Sequence, residues 1–361
     1  MNLHSAEHGP MRLHMTIEEN DLINGSLTVL AAIRPAWSKD KIKFKIFTDG
    51  ITNKLVGCFY AEDPDDVILV RVYGKKTDLL IDRNAETRNI QILHTYGYAP
   101  NLYATFKNGL AYEYVPGDIL TVDTCRDIKV YPLVACMMAK MHHVDCGPTI
   151  SKEPCMWTKT RQFMSIMPNH FTNAEKQTRF EQLIPTKQEL ESEYEILKNE
   201  LINLGSPIVL SHNDLLLGNV IYNPKKNNVT FIDYEYANYN YQAFDIGNHF
   251  AEFAGVSDVD YSRYPSEEFQ REWLKVYLEE YRNSQNLSND CCHETSEHDI
   301  DVLYVQVNKF SLMAHFFWAI WALIQAEHST IDFDFLGYAS IRLKEYFARK
   351  DAFLSLKMPV S

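Results

Sequence analysis

The pattern of hydrophobic and polar positions changes character along this chain of 361 residues. After a mixed polar start, three short runs rich in β-branched and aromatic residues follow one another closely, at residues 42–47, 54–60 and 67–73. The turn-forming stretches TDGITN and AEDPDD separate them. Such runs are typical of strands joined in an antiparallel meander. The early part of the chain therefore predicts a small sheet.

One helix and two more strands complete the predicted first lobe. The pattern predicts a helix over residues 79–94, which ends before the stop signal Gly97. Shorter apolar runs at 102–106 and 110–114 predict two further strands. A Val-Pro-Gly break follows them, so residues 113–117 are interpreted as a hinge.

Most of the remaining chain has helical periodicity. Helices are predicted over residues 127–143, 188–204, from about 245, 266–282, 301–328 and 335–348. Two short β-rich runs interrupt them, at 207–212 and 229–236. The apolar stretch 310–324 is short for a membrane span and carries His315, so it is predicted as a buried helix. The polar run 283–299 is predicted as a surface loop.

These elements predict an α+β chain with two lobes: a small antiparallel-sheet lobe with one helix, then a mainly helical lobe. The expected boundaries are 1–40 for an N-terminal extension that includes a first helix, 41–115 for the first lobe and 116–355 for the second. The extension is expected to be loosely ordered because its content is mixed and polar. The length suits two lobes that share a cleft.

Composition narrows the class of protein. The formal net charge is −13, which argues against a nucleic-acid binder, because phosphate backbones require clustered Lys and Arg. The seven cysteines have no zinc spacing, and the cluster Cys291-Cys292-His293 has no second ligand pair. With no apolar signal region and no predicted span, we expect a cytoplasmic protein without stable membrane insertion. The oligomeric state stays open, with a homodimer among the alternatives.

The segment SHNDLLLGN carries the candidate chemistry. In it, Asp214 follows His212 and Asn213, and Asn219 comes five residues after Asp214. Asp233 follows a short predicted hairpin. This order matches the catalytic loop and metal-binding Asp of kinases, so Asp214 is the candidate base, and Asn219 and Asp233 are candidate Mg²⁺ ligands for ATP phosphates. The alternative is that Asp214 and Asn219 are ordinary turn residues; the combination with Asp233 favours chemistry.

The first lobe offers residues for the nucleotide. Arg71 lies in the third strand, where a kinase places its phosphate-binding Lys, and Glu86 lies on the next helix, where the ion-pair Glu would be. Glu86 as a solvated helix residue is the alternative. The loop 48–53, which ends at Asn53, is a weak candidate for covering the phosphates because it contains only one Gly.

Longer motifs carry a family resemblance. The run IDYEYANYNYQAFDIGNHFAEF, at 232–253, strongly resembles the choline/ethanolamine kinase family, as do HFFWAIWALIQ at 315–325, SHNDLLLGN and ILVRVYG. The resemblance spans about residues 40–348. It implies a two-lobed protein-kinase-like fold and ATP- and Mg²⁺-dependent phosphorylation of an amino alcohol. Three leucines after Asp214, EFAGVSDVDYSRYP and STIDFDFLGYA favour the ethanolamine branch.

The resemblance also implies roles for particular residues. It assigns Asp214 as the base, Asn219 and Asp233 as Mg²⁺ ligands, and Arg71 and Glu86 as the phosphate-binding pair. The residues that would meet adenine are Glu113 and Val115, and those that would line the amino-alcohol pocket are Glu252, Trp318, Trp321 and Tyr338. Ser257 stands where choline kinases have a further pocket Tyr, which puts a complete aromatic cage for a quaternary ammonium in question.

Several alternatives remain at this point. Trp318 and Trp321 are three residues apart and share a helix face, where they would attract an organic cation, yet tryptophans in an apolar helix are usually core residues. The implied product is phosphoethanolamine, at the first step of the CDP-ethanolamine route to phosphatidylethanolamine. The rivals are a choline kinase or a dual-specificity kinase, and a non-catalytic kinase-like binding module. A protein kinase is disfavoured because D-F-G and A-P-E are absent.

Overall fold

The computed structural model describes residues 9–47, 53–74, 77, 80–285 and 295–360. The chain divides into two compact units, one ending at Pro116 and the other beginning at Gly117. The candidate phosphate loop, residues 48–52, and the Cys291-Cys292-His293 cluster lie outside the described residues.

The N-terminal unit is built on one sheet. Its elements are β1 (Met11–Leu13), α1 (Leu22–Ile33), β2 (Ile42–Phe47), β3 (Asn53–Tyr60), β4 (Asp63–Tyr73), α2 (Arg83–Thr95), β5 (Leu102–Phe106) and β6 (Gly109–Glu113). The strand order is β1-β5-β6-β4-β3-β2. β1 pairs with β5 in parallel, and the other neighbouring strands are antiparallel. β2, β3 and β4 form the predicted meander.

The N-terminal extension is more ordered than its polar content suggests. Strand β1 and helix α1 lie within it, and Ile17, Leu22, Val29 and Leu30 are part of the hydrophobic core of this unit. The prediction of a loosely ordered start is therefore wrong for the described residues from Gly9 onward. The reason is that the apolar positions of α1 recur at helical spacing, so one face of the helix is buried against the sheet.

The C-terminal unit is mainly helical. Its helices are α3 (Tyr131–His142), α4 (Cys155–Ile166), α5 (Ala174–Leu183), α6 (Lys187–Leu201), α7 (Gln242–Ala251), α8 (Glu267–Gln285), α9 (Glu297–His328) and α10 (Phe335–Leu354). Its strands are β7 (Asp118–Ile119), β8 (Ile208–Ser211), β9 (Val220–Asn223), β10 (Asn228–Phe231) and β11 (Asn238–Tyr241). They form two small antiparallel sheets, β10-β9-β7 and β11-β8.

Local chemistry explains where prediction and structure differ. The helix predicted from residue 79 begins at Arg83, because the Asp82 side chain accepts hydrogen bonds from the first amides of α2. The strand predicted over 229–236 ends at Phe231, because Asp233 adopts a left-handed conformation with a φ of 64°. Helices α4 and α5 and strands β1, β7 and β11 were not predicted.

Helix α9 is the central helix of the C-terminal unit. A capping box between Ser296 and Asp299 starts it, and its apolar part is fully buried by the surrounding helices. Of the described helices, α9 alone is long and apolar enough to cross a membrane. Its burial inside the protein confirms the prediction that residues 310–324 form a core helix.

A glycine allows α7 to lie directly on α9. A Cβ atom placed on Gly247 would be 2.7 Å from the backbone oxygen of Val307 and 2.9 Å from the backbone nitrogen of Ser311. Real side chains essentially never approach backbone atoms so closely, so only glycine permits this contact. The close approach sets the position of the candidate site residues that follow on α7.

We predict that Gly247→Ala destabilises the protein by about 2 kcal/mol. Overpacking against backbone costs about 3 kcal/mol at the upper end of its usual range, and the better helix propensity of Ala returns about 1 kcal/mol. Urea unfolding followed by fluorescence measures the change. Gly9→Ala is the control, because its added Cβ meets only the end of the Gln91 side chain. Equal unfolding midpoints for both variants would contradict the prediction.

Candidate functional site

The segment that carries Asp214 leaves strand β8 through a strained turn. Asn213 has a φ of 66°, in the left-handed region that non-glycine residues rarely occupy. Its side chain donates to the backbone oxygen of Tyr236, at 2.9 Å, and accepts from the Asn240 amide, at 2.8 Å. These bonds hold Asn213 in the conformation that turns the chain toward Asp214.

Asp245 anchors the same turn from helix α7. Its buried carboxylate accepts from the backbone N–H groups of His212, at 2.8 Å, and Asn213, at 2.7 Å. It also lies 3.0 Å from Nε2 of His142, which must carry the proton because a carboxylate only accepts. Burial alone would raise the pKa of Asp245, but the bonds and charges of His142 and His212 outweigh it and lower that pKa.

Asp214 lies among other acidic side chains. Burial raises the pKa of Asp214 well above its ordinary value, and the negative charges of Asp233, Glu235 and Glu252 raise it further. The charge of Arg342 acts in the opposite direction. The structure therefore brings the predicted base into one charged cluster with a predicted metal ligand and a predicted pocket residue. A carboxyl group with a raised pKa is a stronger base than an ordinary aspartate.

The hairpin β9–β10 places Asn219 and Asp233 at one end. Asn219 immediately precedes β9, and its backbone oxygen accepts from the N–H of Ile232, at 3.0 Å. Its side-chain amide donates to the backbone oxygen of Asp214, at 2.8 Å. Carboxylate oxygens of Asp233 and Glu235 lie within 4.8 Å of each other. This set of oxygen donors fits a hard divalent cation such as Mg²⁺.

A buried ion pair lies beside this cluster. Arg342 of α10 donates to Oε1 of Glu252 at 2.5 Å, and their side chains are only 2% and 5% exposed. The Arg342 guanidinium also lies over the ring of Tyr338, 5.4 Å from its centre. Burial raises the pKa of Tyr338, and the charges of Glu252 and Asp214 raise it too, whereas the charge of Arg342 lowers it. The pair thus links two predicted pocket residues to the predicted base.

Both predicted tryptophans are buried, and each indole N–H has a partner. Trp318 donates to the Asn248 side-chain oxygen at 2.8 Å, and Trp321 donates to the Tyr236 hydroxyl at 2.7 Å. The two indole rings meet edge to face, 5.5 Å apart between centres. Tyr236 also packs edge-on against Trp318, at 5.1 Å. Hydrogen bonding therefore fixes the orientation of the two indoles.

In the N-terminal unit, Arg71 and Glu86 form the predicted ion pair. Nη2 of Arg71 lies 2.6 Å from Oε1 of Glu86, and both side chains are buried. Glu86 is therefore not a solvated helix residue. Arg83, which was not predicted, lies 2.9 Å from the other carboxylate oxygen of Glu86 and stacks on Tyr73, 3.7 Å from the ring centre.

The remaining predicted nucleotide residues lie at strand ends of the N-terminal unit. Asn53 begins β3, opposite Tyr73 of β4. Glu113 ends β6, and its exposed carboxylate accepts from the backbone N–H of Asn101 at 3.0 Å. Val115 follows directly and is half-buried.

Sequence reasoning missed several residues that the structure adds to the candidate site. Arg342 lies four residues after Tyr338, so the helical spacing that brings both to one face was a usable signal. Tyr236 and Asn248 were not predicted as site residues, yet each accepts a hydrogen bond from one of the tryptophans. No sequence signal linked them to α9, because these contacts join segments about 70 and 85 residues apart.

Comparisons with known proteins point to one family. The family model for choline/ethanolamine kinase matches residues 44–347. The ethanolamine kinase of Drosophila melanogaster is 47% identical over 94% of this chain and 79% of its own length. Human ethanolamine kinase 1 is 45% identical over 96% of this chain and 77% of its own length.

Solved structures show the same fold. A Plasmodium vivax ethanolamine kinase superimposes with a TM-score of 0.79 at 26% identity, covering 91% of this chain and 89% of its own. A choline kinase from Cryptosporidium parvum gives a TM-score of 0.74 at 23% identity, covering 92% and 98%. The predicted kinase-like α+β fold is confirmed by these neighbours. The family model spans most of the chain, and these relatives are 45–47% identical to it. This protein is therefore a kinase that belongs to the choline/ethanolamine kinase family.

Proposed function

We propose that the protein transfers the γ-phosphoryl group of ATP to the hydroxyl of ethanolamine. The observation that carries this proposal is the charged cluster in which both members of the buried Glu252–Arg342 pair act on the pKa of Asp214. The names of the relatives, ethanolamine kinases in both fly and human, point to the same substrate. The product is phosphoethanolamine, which places the enzyme at the first step of the CDP-ethanolamine route to phosphatidylethanolamine, in the cytoplasm.

Asp214 is the proposed catalytic base. The substrate hydroxyl donates a hydrogen bond to its carboxylate, and its oxygen attacks the γ-phosphorus in line with the departing ADP. The raised pKa of Asp214 favours acceptance of the hydroxyl proton as the new P–O bond forms. Asp245 positions the base by fixing the backbone of the two residues before it.

Asn219 and Asp233 are the proposed ligands of Mg²⁺. Both offer oxygen atoms at one end of the β9–β10 hairpin, and the left-handed backbone of Asp233 turns the chain there. A Mg²⁺ ion held by these residues would neutralise charge on the ATP phosphates. Glu235 offers a further carboxylate within 4.8 Å of that of Asp233, and its charge adds to the attraction for a cation.

The N-terminal unit supplies the proposed nucleotide contacts. Arg71 grips a phosphate through its guanidinium, and Glu86 orients Arg71 through the 2.6 Å ion pair. Asn53 stands at the end of the proposed phosphate loop. Glu113 and Val115 follow the last strand and meet the adenine through their backbone.

The amino-alcohol pocket is proposed from Glu252, which directly follows α7, and from residues of α9 and α10. Glu252 accepts from the ammonium group, and the faces of Trp318, Trp321 and Tyr338 attract its charge. Ethanolammonium has three N–H donors where choline has three methyl groups, so a carboxylate acceptor favours ethanolamine. Ser257 is exposed and adds no aromatic face.

A homodimer stays a prediction that sedimentation velocity tests.

We expect the purified protein to prefer ethanolamine over choline in kcat/KM by about tenfold or more, with MgATP as the phosphoryl donor. One lost charge-assisted hydrogen bond in a buried site accounts for a difference of this size. A coupled assay of ADP release with both substrates measures it. Equal use of both substrates would favour a dual-specificity kinase, preference for choline would favour a choline kinase, and no turnover of either would favour a binding module.

We expect Asp214→Asn to lower kcat by roughly 10²- to 10⁴-fold while ATP binding stays nearly intact. The amide keeps the shape of the side chain but accepts no proton from the hydroxyl. Asp258→Asn is the matched control, because the Asp258 side chain is 96% exposed. Turnover by Asp214→Asn close to that of the control would exclude Asp214 as the base.

We expect Asp233→Asn to shift the Mg²⁺ dependence of the reaction toward higher concentration by about tenfold or more, because a charged ligand is replaced by a neutral one. Initial rates measured across a Mg²⁺ titration at fixed total ATP give the shift. Glu200→Asn, at an exposed position of α6, is the control. An unchanged Mg²⁺ response in Asp233→Asn would remove Asp233 from the ligand set.

A further inference from the structure

The N-terminal unit contains a cavity that the proposed reaction does not use. It has a volume of about 630 Å³ and lies between β1, helix α2 and the turn that joins β5 to β6. Its described lining includes four cations, Arg12, Arg83, Arg88 and Lys107. We call it the basic cavity. Its lining contains neither Arg71 nor Glu86, the pair proposed to serve the nucleotide.

Charge is unbalanced around the basic cavity. No Asp or Glu is among the lining residues that the structure describes. Arg12, Arg88 and Lys107 form no ion pair with a carboxylate of the described chain, although acidic residues outnumber basic ones by 48 to 35 in the whole sequence. Three neighbouring cations around a concave surface, with no carboxylate of the described residues to neutralise them, present a favourable potential to an anion.

One of the four cations is held in a fixed orientation. Arg83 stacks on Tyr73 at 3.7 Å, lies 2.9 Å from Oε2 of Glu86 and donates to the Thr77 hydroxyl at 2.7 Å. An arginine held in this way loses less freedom when it binds a ligand. Two backbone N–H groups in the first turn of α2 already donate to the Asp82 side chain. Side chains, and not the end of the helix, would therefore donate the hydrogen bonds to a ligand in the cavity.

The size of the basic cavity sets the class of ligand. Its volume falls in the range of small-molecule pockets, roughly 300–1,000 Å³, and is larger than a single phosphate ion needs. Arginine and lysine together suit phosphate oxygens, because the guanidinium binds two of them at once and the ammonium adds a point charge. Tyr73 and Phe106 add apolar surface for a carbon skeleton.

We propose that the basic cavity binds an organic phosphate with two or more negative charges, at a site whose described lining includes none of the proposed nucleotide residues. The ligand is either a soluble phosphorylated metabolite or the headgroup of a phosphorylated lipid, since both present the same chemistry. This inference does not depend on which amino alcohol the enzyme phosphorylates.

Titration calorimetry with pyrophosphate, on the full chain and with a chelator present to suppress binding that requires Mg²⁺, tests the site. We expect Arg12→Gln/Lys107→Gln to weaken binding by about tenfold or more, since two charged contacts are lost. Both positions are exposed, so the variant is expected to fold. Lys43→Gln/Lys129→Gln is the matched control, because it removes the same charge from exposed positions outside the cavity.

Three results would overturn the proposal: no pyrophosphate binding to the wild type, equal weakening in both double variants, or a wild-type dimer that Arg12→Gln/Lys107→Gln dissociates. The last result would make the basic cavity an interface between two copies.

Cosedimentation with vesicles then identifies the source of the ligand. Binding to phosphatidylcholine vesicles that contain a phosphatidylinositol bisphosphate, but not to phosphatidylcholine alone, assigns the lipid headgroup. Pyrophosphate binding without vesicle binding assigns a soluble phosphate.

Discussion

The candidate site depends on the buried carboxylate of Asp245. It accepts hydrogen bonds from two consecutive backbone amides, those of His212 and Asn213, and binds His142 on a third side. The left-handed conformation of Asn213 costs about 1–3 kcal/mol, and these bonds offset that cost. Without them the turn would relax, and Asp214 would lose its position. The residue proposed to carry the chemistry is therefore held by one that does not touch the substrate.

A second constraint is the concentration of negative charge around Asp214. Asp233, Glu235 and Glu252 all raise its pKa, and Arg342 is the cation that opposes them in that cluster. Such an arrangement is costly in an empty site, because like charges in a poorly solvated region repel one another. It becomes favourable when cations enter. A divalent metal ion and an ammonium group, bound together, would supply this positive charge. The negative charge around Asp214 is therefore consistent with the proposed substrates.

Packing connects these charges to the aromatic residues. Gly247 lets α7 rest on the backbone of α9, which brings Asn248 to Trp318 and sets the position of Glu252 one turn later. Arg342 of α10 then binds Glu252, which joins α10 to the same set of contacts. Because three helices must meet for the pocket residues to assemble, a change at a helix contact is expected to affect substrate binding as well as stability.

The sequence alone determined the strands of the meander, the buried nature of α9 and the position of the candidate catalytic segment, since each depends on neighbouring residues or on short periodic patterns. It also indicated that Arg71 and Glu86 would pair, from their places on a strand and the next helix. Only the tertiary structure decided the roles of contacts between distant segments. Arg342 binds Glu252 across 90 residues, and Trp321 binds Tyr236 across 85. No local pattern encodes such a pair, because the chain must fold before either partner has a neighbour.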